Sequence, residues 1–286
     1  MIIFISPAKG FNQDLDNLPN DILEYIDNDV AKTLPALIDK TRLVMDELKK
    51  FSVDELTSLM KVNPDIADLN YNRFSNFKFD ACGLPALFAY SGIQYKAINP
   101  SSLDRSSLDY LQEHLFILSG LYGPLIPLDR IYPYRLEMQT RLCVDASKNL
   151  YNFWGDSIYQ LLKKELETQK ISIVSDSNAG VDQDGNIILN LASTEYSKAI
   201  KKYIEKDIEN DVPITYVSCN FKQDKNGVLK SQSTASKTAR GLMVRYLAQN
   251  KIDTIEGLKS FKEDGYTFKP DLSIEDGRIL ELVFVK

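Results

Sequence analysis

Five short strings in this 286-residue sequence combine charged or hydroxyl side chains with sharp turns. They are Ser6-Pro-Ala-Lys9, Ser119-Gly-Leu-Tyr-Gly123, Pro133-Tyr-Arg-Leu-Glu-Met138, Asn190-Leu-Ala-Ser-Thr-Glu-Tyr196 and Lys237-Thr-Ala-Arg-Gly241. Arg135 and Arg240 carry a planar fork suited to phosphate or carboxylate. Lys9 stands just after an apolar run, the place where a strand end presents a ligand-binding group. Lys237, Arg240 and Val244 follow i, i+3, i+7 spacing and share one helix face, with Arg245 about 80° round from Lys237. Such a basic face follows a phosphate backbone, and the same pattern also describes a solvated face. Glu137 and Glu195 are the candidate acid–base carboxylates, and Tyr134 and Tyr196 are the candidates for stacking a base. Glu137 reads equally as the partner of a paired Arg135.

Composition removes other chemistries. The chain has one histidine, His114, so zinc sites built on two or three histidines and the 2-His-1-carboxylate iron site are excluded within one chain. A Ser-His-Asp or Cys-His arrangement would have to use His114, which lies at the edge of an apolar run and reads as structural. Cys82, Cys143 and Cys219 are scattered and form no CxxC; all three read as small buried hydrophobes. GxGxxG and GxxxxGK[ST] are both absent. Neither a cofactor nor a metal site is expected. No run approaches the ~20 apolar residues of a membrane span, and the N-terminal apolar stretch lacks the length and basic flank of a signal peptide. The expected location is cytoplasmic. The formal net charge of −6 excludes a wholly basic coat but leaves room for a local basic patch.

The elements that must hold these strings alternate irregularly. Ile2-Ile-Phe-Ile-Ser6, Leu115-Phe-Ile-Leu-Ser119, Ile171-Ser-Ile-Val174, Ile187 to Ser193, Thr215 to Phe221 and Glu281 to Val285 read as strands. Leu84 to Gly92 reads as strand and turn. Helical periodicity marks Leu34–Lys50, starting near Pro35, and Leu103–Glu113, Leu150–Glu167 and Ser236–Asn250. Ser52 with Glu55 forms a capping box, and Asn63-Pro64 an N-cap with Pro at N1, so 52–77 is a helical hairpin. Asp182-Gln-Asp-Gly185 and Asp224-Lys-Asn-Gly227 are hairpin turn signals. The expected fold is α/β (mixed α+β): a single domain over 1–286 with a mixed central sheet, flanking helices and a helix-hairpin-helix-like element.

An ordered series of these strings resembles the bacterial YaaA peroxide-stress family across nearly the whole chain. It runs through Ser6-Pro-Ala-Lys9, Leu59-Met60, Ala67, Asn70, Arg73 and Phe74, Leu118-Ser-Gly-Leu-Tyr-Gly123, Leu128-Asp129 and Pro133-Tyr-Arg-Leu-Glu-Met138. Tyr151, Phe153-Trp-Gly155, Asn190-Leu-Ala-Ser193, Glu195-Tyr196, Lys237, Ala239-Arg-Gly241, Met243, Gly265-Tyr266 and Glu281-Leu-Val-Phe284 complete it. The resemblance implies a cytosolic protein that limits free-iron-driven damage during peroxide stress. It also implies a basic cleft, a helix-hairpin-helix element and double-stranded DNA as partner. On it, Lys9, Lys61, Asn70, Arg73, Arg135, Lys237, Arg240 and Arg245 become the expected DNA or phosphate contacts, with 52–77 as the hairpin. The chain departs from the family at Ile93, where an acidic residue is common, and near Ala97, where a glycine is common. Met60-Lys-Val-Asn-Pro64 also lacks the glycines of the usual hairpin loop. The alternative reading is an enzyme acting on a nucleotide or nucleobase in the same cleft. Direct iron storage would need clustered carboxylates and is the poorer third.

Overall fold

Residues 2–5, with branched or aromatic side chains and no polar atom, are buried on both faces, as a strand inside a parallel sheet requires. The computed structural model describes residues 1–28, 33–176 and 186–286. In it Ile2–Ile5 pairs in parallel with Leu115–Ser119 on one side and Ile187–Leu191 on the other. The sheet continues past Ile187–Leu191 with Thr215–Lys225 and then Ile279–Val285, both parallel. Gly123–Leu125 and Thr267–Phe268 close the two ends with antiparallel pairing. The sheet is therefore mixed, and the fold is mixed α/β. The chain builds outward from Ile2–Ile5 first in one direction, then in the other. That reversal is a topological switch point, where carboxyl ends of strands open a crevice.

Helices on the faces follow local signals. Ser52 and Glu55 form the reciprocal capping box on Val53–Met60. Asn63 accepts from the Ile66 N–H and Pro64 opens Pro64–Ser75, completing the helical hairpin. Asn226 and Gly227 both have positive φ, which makes the expected turn between Thr215–Lys225 and Val228–Lys230. Helix Ser233–Asn250 lies against Ile93–Ile98. The contact is close because Gly241 has no side chain: a Cβ there would stand 2.2 Å from the Gln94 carbonyl oxygen and 2.7 Å from the Ala97 Cβ.

Several sequence expectations need correction. Ile171–Val174 is not a strand, because Ser157–Asp176 is helical throughout. A short apolar run does not distinguish strand from helix, and a helix already nucleated upstream propagates through it. Leu150–Glu167 is broken at Gly155, whose φ is +53°, into Leu150–Trp154 and the longer helix. The helix after Pro35 spans Ile38–Leu48. Leu84–Gly92 folds as two two-residue strands around a turn of helix at Ala86–Ala89. Only Cys219 is buried; Cys82 and Cys143 are exposed in irregular segments, Cys143 between the buried Leu142 and Val144. The Asp182–Gly185 turn lies outside the described residues. His114 is structural: its Nδ1 lies 2.7 Å from the Met1 carbonyl oxygen, its ring packs on Tyr110, and burial lowers its pKa. No helix of the described residues is long and apolar enough to cross a membrane.

Two stability outcomes follow. Gly241→Ala is expected to cost about 1–3 kcal/mol through overpacking. It would appear as a lower urea midpoint at unchanged m, and an unchanged midpoint would refute the close helix contact. Asp129 is 3% exposed and accepts the Ile126 N–H, and burial raises its carboxyl to about 6. A pKa raised in the folded state contributes stability that is full below pH ~4 and lost as pH rises through ~6. Asp129→Asn is therefore expected to be more stable than the parent at pH 8, by on the order of 3 kcal/mol, with the gain gone at pH 4. Equal gains at both pH values in thermal melts would refute the assignment.

Candidate functional site

At the switch point, the segments leaving Ile2–Ile5 and Ile187–Leu191 are tied together. The Ser6 Oγ accepts the Ser193 N–H at 2.9 Å and donates to the Ser193 Oγ, while the Tyr95 hydroxyl donates to the Ser6 carbonyl. Next to them, the Ser119 Oγ at the end of Leu115–Ser119 accepts the Leu121 and Tyr122 N–H groups and shares a hydrogen bond with the Tyr134 hydroxyl at 2.6 Å. Tyr134 bonds in turn to Tyr90. Burial raises Tyr134 to about 12, so it stays protonated and serves as a fixed wall. Gly120 lets the Leu136–Met138 backbone pass close by: a Cβ there would meet the Leu136 oxygen at 2.8 Å. That passage carries Arg135 and Glu137 over the strand ends.

The result is a cavity of about 340 Å³, within the size range of small-ligand pockets. Lys9, Arg135, Glu137, Glu195, Lys237 and Arg240 all line it, with Tyr95, Tyr134 and Tyr196 as its aromatic walls. Glu137 takes two of the cations, the Lys9 ammonium at 2.6 Å and the Arg135 guanidinium at 3.0 Å. Gln139 joins the two carboxylates, its side chain donating to Glu137 and its backbone N–H to Glu195. Their environments push them apart. Burial would raise Glu137, but the Lys9 and Gln139 hydrogen bonds and the Lys9 and Arg135 charges outweigh it and hold the carboxyl below its ordinary value. Glu195 is held above its ordinary value, first by burial and then by the Glu137 charge, which outweigh the opposing hydrogen bonds and the Lys9 charge. Two carboxylates separated in this way are suited to acid and base roles. The Nε of Arg135 and that of Arg240 are both out of solvent without an acceptor, but Arg240 differs in that burial lowers its pKa and it has no ion pair among the described residues.

Of the expected site residues, the fold brings six to this cavity and leaves four elsewhere. Arg245 donates to the Ile98 and Asn99 carbonyls and the Ser102 hydroxyl, so it ties down the end of Ile93–Ile98. Asn70 is buried in its own helix, donating to the Ile66 carbonyl. Lys61 is exposed at the left-handed turn of the helical hairpin, and Arg73 is half-buried on the second hairpin helix. The hairpin turn is poorly furnished for phosphate. The Val62 N–H is spent on the Thr57 carbonyl, and Asp65 and Asp68 are exposed on the first turns of the helix that follows. Gln94 also lines the cavity, buried, with its Nε2 unpartnered. As an uncharged residue without a motif it gave no sequence signal. The described residues hold no group of three or more His, Cys, Asp and Glu arranged for a metal ion.

Comparison with known proteins shows a family over nearly the whole chain. A family model described as peroxide stress protein YaaA matches residues 1–272. A UPF0246 protein of Clostridioides difficile is 42% identical over 286 residues, covering all of both chains. One from Ligilactobacillus salivarius is 39% identical over the full length of both. One from Alteromonas mediterranea is 37% identical, covering all of this chain and 98% of its own.

The carboxylate pair is directly testable. In carbon-detected NMR titrations, Glu137 is expected to titrate below and Glu195 above the ordinary glutamate value. Glu137→Gln removes the like charge and frees Lys9, so Glu195 is expected to fall. A Glu195 that does not move would show that the two carboxylates do not share a field.

Proposed function

Since the chain belongs to the YaaA peroxide-stress family, we propose that it binds double-stranded DNA through the cleft around Arg240 and thereby limits free-iron-driven oxidative damage. The carrying observation is the convergence of Lys9, Arg135, Lys237 and Arg240 on one cavity of a chain whose net charge is −6. Positive charge gathered in one cleft of an acidic body gives phosphate a single place to dock. A second, more open cavity supports the same reading. The short helix Thr194–Ser197 gives Glu195 and Tyr196 to the cleft. Its Thr194 and Ser197 face a groove that Lys198, Lys201 and Lys202 also line. The helical hairpin, with its acidic rim and spent N–H group, contributes less. Protection of DNA accounts for reduced iron damage without an iron site in the protein.

The reading is checked by fluorescence anisotropy on a duplex of defined length across salt concentrations. The dissociation constant is expected to rise steeply with salt. Lys237→Ala with Arg240→Ala is expected to weaken binding and lower the log–log salt slope by about 2. Lys61→Ala with Arg73→Ala is expected to leave the slope nearly unchanged. Absence of binding at low salt, or equal losses from the two double variants, would refute the cleft as the DNA site.

A second reading has its own observation. The opposite shifts of Glu137 and Glu195 favour an enzyme acting on a nucleotide or nucleobase, with Glu195 as acid and Glu137 as base. It predicts turnover of a nucleotide or nucleoside that both Glu137→Gln and Glu195→Gln abolish at intact fold. DNA binding without turnover in a panel of nucleotides and nucleosides would leave the first reading alone.

A further inference from the structure

The cations of the cleft are not equivalent. Lys9 and Arg135 are committed to Glu137. Lys237 and Arg240, one turn apart on Ser233–Asn250, make no ion pair or hydrogen bond among the described residues. Arg240 is half-buried, and its Nε is out of solvent without an acceptor. Gln94 is 7% exposed, lines the same wall, and has its Nε2 buried without a partner. The two are neighbours by construction, because Gly241 seats the Arg240 helix against the Gln94 backbone. Buried donors without acceptors are costly and uncommon. A half-buried guanidinium without a counter-charge adds to that cost. The wall therefore lacks an acceptor with several lone pairs and negative charge.

The shape narrows the anion. An internal phosphodiester is flanked by a nucleoside on both sides and is met by exposed side chains on an open surface. A half-buried guanidinium at the wall of a 340 Å³ cavity is met by an anion at the end of a chain. A phosphate monoester has three free oxygens and carries about −1.5 to −2 at pH 7, which matches Arg240 and Lys237 together. Tyr95, Tyr134 and Tyr196 line the same cavity, each less than a tenth exposed, and give it an apolar boundary beside the anion.

We infer that Arg240, Lys237 and Gln94 form a binding site for the phosphate monoester of a nucleotide, either free or at a DNA strand end. This deepens the nucleic-acid reading of the cleft and rests on it, while naming a terminal phosphate, not the duplex backbone, as the group recognised.

The test compares ligands that differ by one group. Calorimetry with dAMP and with deoxyadenosine, and anisotropy with a nicked duplex carrying or lacking its 5′-phosphate, are run on the full chain. The phosphorylated member of at least one pair is expected to bind about tenfold tighter or more. Arg240→Ala and, separately, Gln94→Leu are expected to erase that preference, with melting curves reporting that each variant folds. Arg240→Lys, which keeps charge without the fork, is expected to restore only part of it. A preference in the dAMP pair assigns free nucleotide, and one confined to the duplex pair assigns strand ends. Equal affinity with and without the phosphate in both pairs overturns the inference. So does a preference that survives Arg240→Ala. If closed circular duplex binds as tightly as the phosphorylated nick, the terminal-phosphate site is wrong while DNA binding stands. If no DNA binds at low salt but dAMP does, the duplex reading fails and the site remains.

Discussion

Everything functional in this fold depends on the parallel pairing of Ile2–Ile5 between Leu115–Ser119 and Ile187–Leu191. Parallel neighbours deliver their carboxyl ends to one edge of the sheet. Three loops distant in sequence, at Ser6, Ser119 and Ser193, therefore start from the same place. Hydroxyls at these three positions then do related work. Ser6 ties its loop to Ser193, and Ser119 caps its own turn while fixing Tyr134. A slip of one residue in either register would exchange the side chains packed on the two covered faces and misdirect all three loops. The four-residue run without a polar atom is thus a constraint on the site as much as on the core.

Onto that edge the fold adds charge in an ordered way. Four cations crowded into one cavity would repel one another, and Glu137 offsets that by taking two of them. The consequence falls on the remaining pair. Glu137 is occupied by Lys9 and Arg135, and among the described residues neither Arg240 nor Lys237 forms an ion pair with a carboxylate of the cavity. One acid thus both permits the cluster to form and leaves two of its members available for a ligand. The glycine contacts serve the same end, since Gly120 and Gly241 bring the two cation-bearing segments to their positions with no side chain in between.

The parts of this arrangement legible in the sequence are those fixed locally. The capping box at Ser52, the Asn63-Pro64 start, the Asn226-Gly227 turn and the apolar strands all declare themselves within a few residues. The site strings were visible as well, because charge next to a turn at a strand end has a direct physical meaning. What stayed hidden depends on packing between distant segments. Arg245 and Arg240 lie on one helix and look alike in sequence. One is spent on the carbonyls that end Ile93–Ile98, and the other faces the cavity. Asn70 and Gln94 are both buried amides, yet Asn70 Nδ2 is satisfied by its own helix and Gln94 Nε2 is not. Ile171–Val174 failed for a simpler reason, since four apolar residues fit either period.

The acidic balance of the whole chain sharpens the functional reading. A net charge of −6 opposes approach of a polyanion at long range. At physiological ionic strength, however, charges beyond about 8 Å are largely screened. Binding then turns on the contacts made inside the cleft. A protein of this kind gains little from electrostatic steering and most of its selectivity from fit. Selectivity by fit favours an anion that can enter the cavity over one that can only lie across it. The half-buried position of Arg240 and its unmet Nε are what such a preference requires.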